Sequence, residues 1–227
     1  DTGWGVQGDT LNSLNMLSKY GHDTWFTLGD KDLASHIYRT DLLKSGHSLS
    51  EATRALSSRL GVTHSIIPMT DDPVRTMVET EIGCLRFQEY FVKFKCEPKV
   101  NSIAFKGAEN AVPTQAFANA LTQPAALIFG PSNPYLSIAP ILAVPGVRDK
   151  IRDFNGPRMA VSPIVGDRAL RGPAAKMMGE LGFEVSCVSV AKDYVGLCDI
   201  FVIDEVDRIH AHEIESLGFQ VEILNTV

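Results

Sequence analysis

The chain has 227 residues, of which 44% are hydrophobic and 21% charged, with a formal net charge of −6. Those proportions suit one folded globular domain, and the acidic balance without any Lys/Arg run excludes the electrostatic footprint of a nucleic-acid binder. Apolar runs are cut by Pro and Gly well short of a bilayer's width, and Cys84, Cys96, Cys187 and Cys198 show no C-x-x-C spacing, so the expectation is a cytoplasmic protein with reduced thiols and no membrane contact.

In chain order, Asp1 to Thr10 is a glycine-rich loop carrying Trp4. It starts without a methionine and inside a motif-like stretch, which reads as a piece of a longer protein. Leu11, Leu14, Met16 and Leu17 give a short amphipathic helix that Gly21 ends. Thr24 to Leu28 reads as a short strand or an extended segment, and a helix is expected from about Leu33 to Lys44. Ser48-x-x-Glu51 is a capping box that opens the next helix, through about Leu60. Val62 to Pro68 is strand-like and runs into the loop Met69 to Pro73, which carries Asp71 and Asp72.

The texture changes from Val74 onward. Val78 to Phe87 alternates about Gly83 and reads as an antiparallel hairpin, with Tyr90 to Phe94 extending it and Val100 to Phe105 adding a strand. A β-hairpin insert is therefore expected at about 74–106. The helix Thr114 to Leu121 leads to Ala125 to Phe129, an apolar run that suits a strand buried on both faces of a parallel sheet. A second buried strand ends at Val161. Glu184 to Val190 follows, then a helix Lys192 to Cys198, the strand Ile200 to Ile203, a helix from about Ile209 to Leu217, and Gln220 to Leu224. Alternating strands and helices argue an α/β fold, Rossmann-like, with a mostly parallel sheet and helices on both faces. The whole chain, 1–227, reads as a single domain of this kind.

Two strand ends are chemically informative. Gly130, Pro131, Ser132, Asn133 and Pro134 follow the first core strand, where free N–H groups and the Ser132 and Asn133 side chains could surround an anion. An ordinary tight connection accounts for such a loop equally well. Its echo is Ser162-Pro163 after the second strand, then a loop bracketed by Gly166 and Gly172 with Arg168 and Arg171. Pro173 sits at a first helical position, and Lys176 lies within the first turn of a helix Ala174 to Leu181. A cation there opposes the helix dipole unless an anion lies between. Neither loop is a Walker A or dinucleotide fingerprint.

Acidic groups come next. Asp30, Lys31 and Asp32 either cap a helix or present a carboxylate and an ammonium to a ligand. Asp71 and Asp72 before Pro73 form a turn or hold Mg²⁺, which favours carboxylates together with substrate phosphates. Asp204-Glu205 resembles a metal-holding pair, but it is also a usual way to leave a strand. His210 and His212 are two apart on a helix, hence on different faces.

Several blocks together carry a resemblance. W-G-x-x-G-D-T at Trp4 to Thr10, L-G-D-K-D-L-A-x-H at Leu28 to His36, P-M-T-D-D-P-V-R-T at Pro68 to Thr76, F-Q-E-Y-F-V at Phe87 to Val92, G-P-S-N-P at Gly130 to Pro134, and S-P-I-V-G with G-P-A-A-K-M-M at Ser162 to Met178 resemble the 2-phospho-L-lactate transferase (CofD) family of deazaflavin-coenzyme biosynthesis. The blocks fall in family order along nearly the whole chain. The resemblance implies a Rossmann-like fold and a Mg²⁺-dependent transfer. A phospholactyl, phosphoenolpyruvyl or phosphoglyceryl group passes from a guanosine diphosphate-linked donor to the ribityl hydroxyl of a hydroxy-deazariboflavin, and GMP leaves.

On that resemblance Asp30, Asp71 and Asp72 are candidate catalytic residues, with Asp71 and Asp72 also on the metal. Trp4 and Lys31 would meet the deazaflavin. Gly130, Ser132, Asn133, Ser162, Gly166, Gly172 and Lys176 would hold the nucleotide and its phosphates. Small-molecule substrates are thus the expected partners, and a homodimer is compatible with them. The family's opening strand and phosphate loop lie before Asp1 in this comparison, so the chain is expected to lack an N-terminal segment. The family pattern has arginine where this chain has Lys31, which keeps the charge but loses the planar fork. A non-catalytic, nucleotide-sugar-binding regulatory protein is the alternative. Ser132-Asn133-Pro134 and the blocks at Leu28 and Pro68 favour the transferase.

Overall fold

Reciprocal capping builds the first part of the chain in the computed structural model, which describes residues 5–122, 125–169 and 172–227. Helix α1 spans Asn12–Lys19, α2 Asp30–Lys44 and α3 Leu49–Arg59. The capping box at α3 forms in both directions: Ser48 Oγ accepts from the Glu51 N–H, and Glu51 Oε2 from the Ser48 N–H. These helices are thinly anchored, since Ala52 is the one fully buried residue among them.

Neither of the two β-prone runs of this part pairs into a sheet. Thr24–Leu28 and Val62–Pro68 are irregular, with only an isolated bridge from Thr70 to Pro113 nearby. A β-prone run becomes a strand only where a partner edge receives its N–H and C=O groups, and neither run meets one.

The antiparallel insert follows. Strands β1 (Arg75–Thr80), β2 (Gly83–Arg86) and β3 (Val100–Lys106) form a sheet in the order β2-β1-β3. Between β2 and β3, the expected strand extension over Tyr90–Phe94 is instead a π-helical turn, Glu89–Lys93. Glu89 Oε2 accepts from the Arg86 N–H at 2.9 Å, which curls the chain out of the ladder. Tyr90 then buries fully against Val78, Val100 and Met177.

Helix α4 (Gln115–Ala120), capped by Thr114, leads to β4 (Leu127–Phe129). A π-helical turn at Pro134–Ile138 continues into α5 (Ala139–Leu142), and α6 (Val147–Arg152) precedes β5 (Arg158–Val161). A two-residue ribbon, β6 (Ile164–Val165) and β7 (Arg168–Ala169), turns back on itself before α7 (Ala174–Glu180). Pro173 occupies the N-cap position, one residue before the expected place. Helix α8 (Cys187–Asp193) starts within the run Glu184–Val190, earlier than the helix expected over Lys192–Cys198. Ser186 Oγ accepts from the Ser189 N–H at 3.1 Å, and Cys187, Val188, Val190 and Ala191 all bury, so a local cap decided a run whose period was ambiguous. Then come β8 (Ile200–Asp204), a 3₁₀ segment Glu205–His210, α9 (Ala211–Ser216) and β9 (Gln220–Leu224).

The central sheet is wholly parallel, in the order β4-β5-β8-β9, and flanked by helices. Phe201, Ile203, Tyr194, Leu197, Met178 and Ile214 lie in one core cluster with Phe129 and Ala160. Each large side chain of this kind contributes roughly 1.5–3 kcal/mol on burial. β4 is less enclosed than expected: among the described residues it pairs only with β5, and Ile128 stays 65% exposed. Arg158 braces the other end of the sheet, donating to both oxygens of Asp199 at 2.6 and 2.9 Å. No helix among the described residues is long and apolar enough to cross a membrane.

Candidate functional site

Parallel pairing places every strand's carboxyl end on one edge, and the site is assembled there. The loop after β4, the Ser162-Pro163 corner after β5, the start of α7 and Thr226 beyond β9 converge on one cleft. Ser132, Asn133, Ser137, Ser162, Gly172 and Thr226 supply its polar rim, and Phe87 and Phe91 enter from the insert. Its volume is about 520 Å³. The two sequence-distant loops expected to act together do meet.

The chemistry of the cleft departs from a phosphate cradle. Its lining is mostly apolar, and none of the described residues around it is charged. Asn133 Oδ1 accepts from the Tyr135 and Leu136 N–H groups at 2.9 and 3.1 Å, so its carbonyl ends the loop as a helix cap. Ser162 Oγ donates to the Ile164 carbonyl at 2.8 Å and accepts from the Ile164 N–H at 3.1 Å. Thr226 is fixed by Asp204, whose Oδ2 accepts from both the Thr226 N–H and Oγ1 at 2.9 Å. Those bonds hold the Asp204 carboxyl below the usual range, foremost the one from the Thr226 N–H. Asp204 is therefore a strand-end anchor, with Val206 N–H as its further partner. Gly166 is not at the cleft; its N–H donates to both oxygens of Asp207 at 3.0 and 3.2 Å.

Lys176 also faces elsewhere. Its ammonium lies 2.5 Å from Glu180 Oε1 and donates to the Pro98 carbonyl at 3.1 Å. Glu180 Oε2 accepts from the Val100 N–H at 3.0 Å, so the pair clamps α7 to the insert. The Glu180 carboxylate, an anion of the chain itself, accounts for a cation in the first turn of α7, so the position does not by itself require a bound anion. Lys176 lines a neighbouring groove with Lys95, Glu97, Gly172 and Pro173.

A second cleft, of about 680 Å³, shares Phe87 with the first. Trp25, Met77, Arg75, Arg86 and Lys106 contribute to it. Phe87 and Phe91 stack with centroids 5.4 Å apart and planes 26° from parallel. Sequence reading missed this aromatic pair, because it took the F-Q-E-Y-F-V block for a strand. The available signal was the stretch's i, i+4 aromatic spacing.

The acidic candidates have structural partners. Asp30 caps α1, not its own helix: Oδ1 accepts from the Ser13 N–H at 2.9 Å, and Oδ2 from the Asn12 N–H at 3.1 Å and Thr10 Oγ1 at 2.5 Å. Thr10 above all holds the Asp30 carboxyl far below the usual range, so it is a poor proton acceptor. Asp30, a catalytic candidate on the resemblance, thus stands in this structure as an inter-helix cap. Asp9 returns the favour at α2, accepting from the Lys31 N–H at 2.9 Å. A side chain at Gly29 would collide with that Asp9 carboxylate. The W-G-x-x-G-D-T and L-G-D-K-D blocks thus explain one another. The Lys31 ammonium donates to the Gln7 carbonyl at 2.9 Å, and Trp4 and Arg171 lie outside the described residues. Asp71 Oδ1 accepts from the Ser50 N–H at 2.7 Å, and Asp72 Oδ2 from the Val112 N–H at 2.9 Å. The remaining oxygen of each exposed carboxylate makes no hydrogen bond among the described residues.

Residues 2–222 match the family model described as 2-phospho-L-lactate transferase CofD. A 2-phospho-L-lactate transferase of Methanosarcina mazei is 36% identical over 224 residues, covering 99% of this chain and 73% of the relative. A phosphoenolpyruvate transferase of Streptomyces griseus is 38% identical over 226 residues, covering 97% and 71% respectively. The fold is similar to a crystal structure of a UPF0052 family member from Bacillus halodurans, with a TM-score of 0.58 at 15% identity. That match covers 88% of this chain, which spans 66% of the solved one.

Proposed function

The chain belongs to the 2-phospho-L-lactate transferase CofD family, and on that premise we propose a specific group transfer. A 2-phospholactyl group, or its phosphoenolpyruvyl or phosphoglyceryl counterpart, moves from a guanosine diphosphate-linked donor to the ribityl hydroxyl of a hydroxy-deazariboflavin. The hydroxyl oxygen bonds to the phosphorus that bears the acid. The bond from that phosphorus to the GMP oxygen breaks, and the hydroxyl proton leaves.

One observation supports this reading above the others: two clefts of comparable size meet at a single aromatic side chain, Phe87. A two-substrate transfer needs two adjoining sites, and alignment supplies much of its rate. The cleft with Ser132, Ser137 and Thr226 suits the donor's nucleoside, whose base can lie against Phe91. Lys95 and Lys176 border the adjoining groove, where the donor's phosphates would extend. The cleft with Trp25, Arg75, Arg86 and Lys106 suits a planar acceptor ring with polar edges. Lys31 and Trp4 are retained as acceptor contacts, and Lys31 would have to exchange Gln7 for the ligand.

Mg²⁺ belongs to the same proposal. Asp71 and Asp72 fit a hard cation through the oxygens that cap no backbone group, with water and phosphate oxygens completing the shell. The ion would neutralise charge on the transferring phosphorus. A cytoplasmic homodimer completes the expectation. The test is to supply a guanosine diphosphate-linked phospholactyl donor with and without the deazaflavin. Acceptor-dependent GMP release is the expected result. Donor binding without acceptor-dependent release overturns the transferase and leaves the regulatory binder.

A further inference from the structure

Behind the β6–β7 ribbon lies a cluster that the transfer does not use. Cys187 opens α8, while Asp207 and His210 lie on the 3₁₀ segment after β8. A sulfur, a carboxylate oxygen and an imidazole nitrogen all lie within 4.8 Å of one another, the one such group of three among the described residues. Cys187 and Asp207 are buried, and His210 is half-exposed, which gives the cluster an opening to solvent.

The surroundings are short of positive charge. Asp207 meets the fields of Asp167 and Asp204, and His210 is the cation-capable group that faces it. The Cys187 sulfur faces the backbone N–H groups of Cys187 and Val188 at the start of α8, which leaves it lone pairs for a metal. Asp207 accepts twice from the Gly166 N–H, and each carboxylate oxygen keeps a lone pair for another partner. Asp167 is also held at a positive φ of 57°, beside Gly166 at 56°.

We propose that Cys187, Asp207 and His210 form a zinc-class metal site, with one thiolate, one carboxylate and one imidazole ligand and a fourth position open to water. Sulfur and nitrogen together select a borderline cation of the Zn²⁺ type over Mg²⁺, which demands oxygen. Ligand atoms around a tetrahedral Zn²⁺ are roughly 3.3–3.8 Å apart, so closure needs a shift of at most about 1.5 Å. A thiolate, not a thiol, is the ligand, so binding expels the Cys187 proton to solvent as the sulfur–metal bond forms. The ion would staple α8, the 3₁₀ segment and the ribbon turn together.

The experiment is a Co²⁺ titration of the reduced, metal-stripped protein, followed by displacement with Zn²⁺. Expected is a saturable thiolate-to-cobalt charge-transfer band with tetrahedral d–d absorption, lost on adding Zn²⁺. Cys187→Ser should abolish the charge-transfer band, Asp207→Asn and His210→Gln should each weaken Co²⁺ by about tenfold or more, and Cys84→Ser, at an exposed thiol, should leave the band in place. No band, or a band that survives Cys187→Ser, overturns the site. If Cys187→Ser does not fold, His210→Gln decides it, because that side chain is half-exposed: unchanged Co²⁺ affinity refutes the proposal.

Discussion

Asp9 and Asp30 each hold the start of a helix that lies next to the other residue in space, and their effect on stability has a definite pH signature. The folded carboxyl of Asp30 is depressed, chiefly by Thr10, so its contribution is present above the unfolded value and is lost as pH falls. The window opens at about pH 4, near the ordinary aspartate value. Asp30→Asn should lower the melting temperature at pH 7 and flatten the acid limb of the melting curve. Equal acid limbs in the two proteins would show that Asp30 carries no such linkage. Asp71→Asn separates structure from metal in another way. The amide keeps an oxygen for the Ser50 N–H and loses only the charge. If Asp71 helps hold Mg²⁺, the variant should melt near the wild-type temperature but need several-fold more Mg²⁺ for half-maximal turnover. An unchanged Mg²⁺ requirement removes Asp71 from the metal.

Between residues and the whole stands the π-helical turn Glu89–Lys93, which follows closely on Phe87, the side chain that both clefts share. It buries Tyr90 on one side and leaves Phe87 and Phe91 stacked toward the clefts. Phe91 lines the Ser132 cleft but not the Trp25 cleft, whereas Phe87 lines both. Phe91→Ala should then weaken guanine-nucleotide binding by about 1 kcal/mol, the scale of one aromatic contact, and spare the deazaflavin. Phe87→Ala should weaken both ligands. Calorimetric titration of each ligand into each variant checks this, and equal losses for both ligands in Phe91→Ala would merge the two clefts into one site. The Lys176–Glu180 clamp belongs to the same scale. It ties α7 to Pro98 and Val100, so Lys176→Ala should loosen the insert before it alters the parallel sheet.

Across the whole molecule, stability is unevenly distributed. Helices α1 and α2 contain no buried residue, while β8 contributes Phe201, Val202, Ile203 and Asp204 to the interior. Native-state hydrogen exchange should release the amides of α1 and α2 long before those of β5 and β8. Simultaneous release would show one cooperative unit. Phe201→Ala should cost about 3–5 kcal/mol, because the surrounding Tyr194 and Phe219 rings cannot collapse into the cavity, and chemical denaturation measures it.

Much of this architecture was legible in the residues themselves. Short apolar runs spaced by helical crossovers required a parallel sheet, and the Ser48-x-x-Glu51 box and the Gly83 turn carried their own local chemistry. The two loops after β4 and β5 could be paired in advance, since parallel strands deliver their carboxyl ends to one edge. Local sequence could not say which β-prone runs would find a partner, so Thr24–Leu28 and Val62–Pro68 stayed irregular. It could not assign Asp30 to a helix eighteen residues upstream, nor join Lys176 to Pro98. Nor could it gather Cys187, Asp207 and His210 within 4.8 Å. Those outcomes depend on long-range packing: hydrogen-bond partners and like charges are brought together by the burial of Phe201, Tyr90 and their neighbours, and only the folded chain sets their distances.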